Sequence, residues 1–218
     1  MTASAVSRKR ALPRRLLIAF AVGLATGVAG YVLGRTILPG LIGPDALDRF
    51  DLRWSDALAG LTALAMLIGA GVVLAICLDP RRLGRLYRLE GPASAGEVGQ
   101  ARLQAAVMGL SGLILLLPLV FALSGVAGPA ALGLIVVLLA IHTVLNLKVW
   151  RGVDELLRRT TMEAATVTFF LGQGLLFAWA AAERLGVLPV LTAWDIYAVL
   201  MALYLVVSVF AASRRGLA

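Results

Sequence analysis

The stretch LQAAVMGLSGLILLLPLVFAL, Leu103–Leu123, carries no charge and no break over 21 residues. As an α-helix it measures about 32 Å at ~1.5 Å per residue, which matches the ~30 Å hydrocarbon core of a bilayer. A barrel strand would instead be ~10 residues long and would alternate apolar with polar positions. This run is continuous and rich in Leu and Ala, so it reads as a membrane helix.

Working outward, runs of the same kind lie near Leu16–Leu38, Ala57–Leu78, Pro129–Trp150, Thr161–Ala182 and Ile196–Ala212. They predict an all-α fold, a polytopic membrane bundle of six transmembrane helices. Composition agrees: 61% of residues are hydrophobic, 23 more are glycine, only 15% are charged, and mean hydropathy is +0.94. A soluble domain is ~45–50% apolar, so a soluble enzyme, a nucleic-acid-binding domain and a disulfide scaffold are excluded. The single cysteine, Cys77, allows no internal disulfide. The longest loops, Pro39–Asp56 and Asp79–Arg102, are too short to hold a core, so residues 1–218 read as one transmembrane domain.

The net charge of +8 matters through its placement. The N-terminal segment holds Arg8, Lys9, Arg10, Arg14 and Arg15, and the second loop Arg81, Arg82, Arg85, Arg88 and Arg102. The fourth loop adds Lys148, Arg151, Arg158 and Arg159, and the tail Arg214 and Arg215. The opposite side holds only Arg35, Arg49, Arg53 and Arg184. Basic residues are retained on the cytoplasmic side, so both termini are expected there. Trp54, Trp179 and Trp194 fall near the outer boundary and Trp150 near the inner one, as an aromatic belt would. Residues 1–30 resemble a secretory signal, but the apolar run continues through Tyr31, Val32 and Leu33 without a convincing cleavage site, so a retained first span is expected.

Spans one and two begin after Arg14-Arg15, cross over before Trp54-Ser-Asp56 and end before Arg81-Arg82. Spans five and six repeat that order with Arg158-Arg159, Trp194-Asp195 and Arg214-Arg215. The similarity suggests three helical hairpins, although arginines inside and tryptophans outside would also follow from topology alone.

Within the spans, Gly23, Gly27, Gly30 and Gly34 share one face of the first helix, where glycine lets another helix approach closely. Gly174, Ala178 and Ala182 form a weaker stripe in span five. Pro118, in the middle of span three, removes a backbone hydrogen bond and predicts a kink.

Gly109-Leu-Ser-Gly112 and His142-Thr-Val-Leu-Asn146 resemble the G-x-S-G and H-x-x-x-N signatures of rhomboid intramembrane proteases. The resemblance would make Ser111 a nucleophile and His142 its base. The motifs occur in reverse order, however, and no second histidine exists for that family's A-H-x-x-G-x-x-x-G helix. Both residues also lie nearer the cytoplasmic side, whereas those proteases work near the outer face. No catalytic residue is therefore assigned. Ser111, His142, Asn146 and Gln173 are expected to form a polar cluster in which a neutral His142 packs by hydrogen bonds to Ser111 or Gln173. Every Asp, Glu, Lys and Arg falls at a span end or in a loop, which disfavours carriage of a charged solute. One histidine rules out a bis-histidine haem and a three-histidine metal site within the chain, and no cofactor or metal is expected.

Between spans four and five, Asp154 with Arg158 and Glu155 with Arg159 make two (i, i+4) pairs, acid first, on a helix starting near Gly152. With Glu163 they form a cytoplasmic ion-paired segment. Here the chain resembles a group of uncharacterised bacterial inner-membrane proteins with D-E-x-x-x-R followed by E-A before a late span, matched by Asp154, Glu155, Arg159, Glu163 and Ala164. The resemblance covers the final seventy residues or so. It implies an inner-membrane location and no activity.

The expected role is a non-enzymatic accessory or scaffold component. Its expected partners are membrane lipids, with anionic headgroups at the cytoplasmic face, and other membrane proteins or further copies of the chain, and no nucleic acid. The alternatives are a facilitator or carrier for a small neutral or apolar solute, and an intramembrane serine hydrolase.

Overall fold

The computed structural model describes residues 53–87, 89–124 and 126–215, and Arg53–Ala218 forms a compact unit of its own. Six helices are described: α1 (Trp54–Ile76), α2 (Pro80–Leu86), α3 (Ala95–Ser124), α4 (Gly128–Gly152), α5 (Glu155–Arg184) and α6 (Ala193–Arg214). All but α2 are long and apolar enough to cross a membrane, and among the described residues there is no strand. The expected first span, Leu16–Leu38, with its glycine face at Gly23, Gly27, Gly30 and Gly34, lies outside the described residues.

The helices run past the apolar windows because their ends are capped by polar side chains. Ser94 and Glu97 form a reciprocal box at α3: the Ser94 amide donates to Glu97 Oε2 at 2.7 Å and the Glu97 amide to Ser94 Oγ at 3.3 Å. Asp79 caps α2 by accepting from the Arg81 amide, and Asp154 caps α5 by accepting from the Leu157 amide at 2.7 Å. Helix α5 therefore starts at Glu155 rather than near Gly152, which ends α4. Helix α3 runs through Pro118 as one element.

Packing joins α4 to α3, α3 to α1, α1 to α6 and α6 to α5. The row thus places α4 and α5, neighbours in sequence, at its two ends without a packed face between them. Chain direction alternates, so one end collects Arg81, Arg102, Arg151, Arg158 and Arg214, and the other Trp54, Trp179 and Trp194.

Small residues make the seams. Ala59, Ala63 and Ala70 of α1 are buried, and a Cβ on Gly112 of α3 would lie 2.8 Å from the Ala63 carbonyl oxygen. Backbones that close supply the van der Waals contact on which association in lipid depends. The glycines of Gly109-Leu-Ser-Gly112 thus serve helix packing. On α5 the buried stripe is Ala164, Thr168 and Gly172, whereas Gly174 and Ala178 are exposed. The weaker stripe expected there is a correction of register: the packing face is set by contact with α6, where Gly172 meets Leu200. Large apolar side chains point away from the seams, among them Leu132 and Val136 on α4 and Phe169, Phe170 and Phe177 on α5. In a bilayer such faces suit lipid or another apolar helix.

Candidate functional site

Ser111 stands midway along α3 and His142 on the facing side of α4, in the seam between the two helices. Ser111 Oγ lies 2.7 Å from His142 Nε2, and also 2.9 Å from the carbonyl oxygen of Val107 one turn back. The one serine proton serves either that carbonyl, which the helix already supplies with a backbone amide, or the imidazole. In the first case Nε2 carries the ring proton and donates to Oγ.

A nucleophilic serine needs the second case, and more. Its hydroxyl must donate to the imidazole, and the other ring nitrogen must donate to an orienting acceptor. Asn146 Nδ2 lies 3.2 Å from Nδ1, 3.1 Å from Nε2 and 3.2 Å from the His142 carbonyl oxygen. The amide therefore lies across the ring rather than on the Nδ1 lone-pair axis. Ser111 is also mid-helix, where neighbouring amides are used by the helix itself and do not form an oxyanion hole.

Three of the four expected cluster residues, Ser111, His142 and Asn146, come together. Gln173 does not join them. It is exposed on α5, at the far end of the helix row.

In the turn between α4 and α5, one of the two expected ion pairs forms: Arg159 Nε donates to Glu155 Oε1 at 2.9 Å. The Asp154–Arg158 pair does not. Asp154 is the helix cap, and its carboxylate is turned to the Leu157 amide. Arg158 instead reaches back to the Trp150 carbonyl at 3.3 Å, lies over the Trp150 ring at 5.3 Å, and approaches Glu155 only to 4.0 Å. Glu163 pairs across helices with Arg215.

The most tightly bonded group of side chains is one that was not expected, at the tryptophan end. Asp195, fully buried in the first turn of α6, receives at Oδ2 the Thr192 amide at 2.7 Å, the Thr192 hydroxyl at 2.8 Å and Arg53 Nη2 at 2.9 Å. Arg53 Nη1 also donates to Thr192 Oγ1, and Trp194 Nε1 donates to Asp56 Oδ1 at 2.7 Å, tying the start of α1 to the start of α6. Ser55 Oγ and Asp195 Oδ1 are buried without a bond of ordinary geometry. A small turn of the Ser55 hydroxyl toward the carboxylate beside it would satisfy both. Trp54 stacks on Trp179, whose Nε1 donates to the Pro189 carbonyl, and this draws in the end of α5. The available sequence signal was the spacing Thr192-x-x-Asp195, an N-cap signature. Nothing local in Arg53 names its partner 142 residues away.

Comparison of the chain with protein-family models, with curated proteins and with solved structures gives no match.

Proposed function

We propose that the chain is a six-span, three-hairpin protein of a bacterial inner membrane, with both termini cytoplasmic, and that it acts by association rather than catalysis, as an accessory or scaffold component. One observation carries this reading: Ser111 lies mid-helix in the α3–α4 seam, its Oγ 2.7 Å from His142 Nε2 and 2.9 Å from the Val107 carbonyl oxygen, where the neighbouring amides are used by the helix itself. The deepest polar side chains then serve to hold α4 on α3. Outside that seam most of α4 is uncovered, which offers a flank to another membrane protein or a further copy. The arginines gathered at one end suit anionic headgroups.

The test joins two measurements. Native mass spectrometry of the extracted protein is expected to show partner proteins or further copies, and a fluorophosphonate probe is expected to leave Ser111 unmodified. Covalent labelling that Ser111→Ala abolishes would overturn the reading in favour of a serine hydrolase. Saturable flux of a neutral solute into proteoliposomes would overturn it in favour of a carrier.

A further inference from the structure

Between α1 and α3 the chain folds back on itself. The Leu89 amide donates to the Gly84 carbonyl at 2.8 Å and the Ala93 amide to the Pro80 carbonyl at 2.9 Å. Leu83 is fully buried in a cluster with Cys77, Val98 and Ala101, and a Cβ on Gly84 would strike the Gly91 carbonyl oxygen. One side of α2 is thereby fixed against the bundle. The other side carries Arg81, Arg82 and Arg85, all exposed. A helix of seven residues does not stand alone in water, so this packing holds both the helix and the direction of its arginines.

The charge on that side is not balanced from within. Arg82 pairs with Asp79 at 3.3 Å, but among the described residues Arg81 and Arg85 have no carboxylate within 4.0 Å. One turn apart on the same face, they repel each other. Residues 1–52 bring no acid to them. Their carboxylates are Asp45, Asp48 and Asp51, and Asp45, the furthest from Arg53, reaches ~28 Å along a fully extended chain, whereas α1 alone is ~34 Å long. Arg88 is one more cation. Most other arginines of this end are engaged: Arg102 on the Cys77 carbonyl, Arg158 on Trp150, Arg159 on Glu155 and Arg215 on Glu163. Lys148 and Arg151 are exposed as well, but they stand in the last turn of α4, whose carbonyl end itself suits a cation.

We propose that Arg81 and Arg85 bind the phosphate of an anionic phospholipid of the adjoining leaflet. A guanidinium meets phosphate oxygens with two parallel N–H donors, and an anion between the two arginines removes their repulsion. The leucines of the same segment decide for a lipid over a dissolved anion. Leu78, at the junction with α1, is 79% exposed, and Leu86 and Leu89 are exposed too. Leucines interleaved with arginines at the end of a spanning helix suit the boundary between headgroups and acyl chains. Because the backbone of the segment is already fixed, binding orders side chains only. The proposal rests on the membrane reading, and it narrows the attraction of the arginine end for anionic headgroups to one element.

The experiment places the full chain in nanodiscs of equal parts phosphatidylethanolamine and phosphatidylglycerol and identifies the retained lipid by native mass spectrometry. Arg81→Gln with Arg85→Gln removes two charges from α2. Lys148→Gln with Arg151→Gln removes two from α4 and is the control, so both double variants carry the same net charge. Wild type is expected to retain phosphatidylglycerol with about fivefold enrichment or more, the size that one arginine near an anionic surface supports. The α2 variant is expected to return to the bulk ratio with its melting temperature unchanged, and the control to keep the enrichment of the wild type. Retention in the bulk ratio by the wild type would overturn the proposal together with the reading of the arginine end. Equal loss in the two double variants would overturn the proposal alone and leave a diffuse charge in its place, and unchanged enrichment in the α2 variant would likewise sink it. Capture of a polyglutamate peptide by the wild type but not by the α2 variant, without phosphatidylglycerol enrichment, would assign the arginines to an acidic protein instead.

Discussion

Gly112 is the residue at which the α1–α3 seam is tightest. An added methyl would meet the Ala63 carbonyl oxygen at 2.8 Å, with Met66 Cβ and Leu67 Cγ both at 3.1 Å. Neither backbone can yield without separating the helices. Gly112→Ala is therefore expected to lower stability by about 1–3 kcal/mol, the usual range for overpacking. Gly71→Ala on α1 is the control, since nothing stands within 4 Å of its added carbon. It is expected to be neutral or stabilising by up to about 1 kcal/mol, because alanine is the better helix former. Thermal unfolding in detergent checks both, and equal melting temperatures would show that the seam is looser than its geometry. At this scale the sequence was only partly legible. The hydrogen-bonding capacity of Ser111, His142 and Asn146 and their shared depth pointed to a contact, but the approach of Ser111 Oγ to the Val107 carbonyl is one that no side-chain pattern reveals.

Between elements, the Arg53–Asp195 bond and its Thr192 partners join two helix starts that hydropathy reads as unrelated span edges. Asp195 is fully buried while the Arg53 side chain is 42% exposed, so the pair is weaker than a wholly desolvated one and stronger than a surface pair. Asp195→Asn is expected to cost about 2 kcal/mol, within the ~1.5–3 kcal/mol typical of hydrogen bonds to charged groups. Arg53→Met with Asp195→Asn is expected to cost less than the two single changes combined, as measured by a double-mutant cycle on unfolding free energy. Strict additivity would mean that the contact contributes nothing. The spans themselves were legible because twenty apolar residues in a row admit few other fates. Their order in the row was not. Asp154 and Arg158 were expected to pair at the head of α5, whereas Asp154 became its cap.

For the whole molecule, the alternation of arginine and tryptophan ends fixes how the helices cross but leaves open which end faces which compartment. Single cysteines in a Cys77→Ala background address that directly. Val187→Cys, at an exposed site beside the tryptophan end, is expected to react with an impermeant maleimide from outside intact cells, and Glu90→Cys, at the opposite end, is expected to react only after lysis. Gly186 is avoided because its φ of +71° strains any other residue. Reaction of Glu90→Cys in intact cells would invert the orientation.

The tie between Arg53 and Asp195 also sets a timetable for synthesis. At ~5–20 residues per second, the 142 residues that separate them take a ribosome roughly 7–28 s to make. For that interval α1 stands without α6, which covers one of its flanks, and Arg53 stands without Asp195. Helix α6 follows every other described helix in the chain. A chain that stalls before Thr192 therefore presents an uncovered α1 flank and an α5 without its packing partner, features by which a membrane protease can tell an unfinished copy from a finished one.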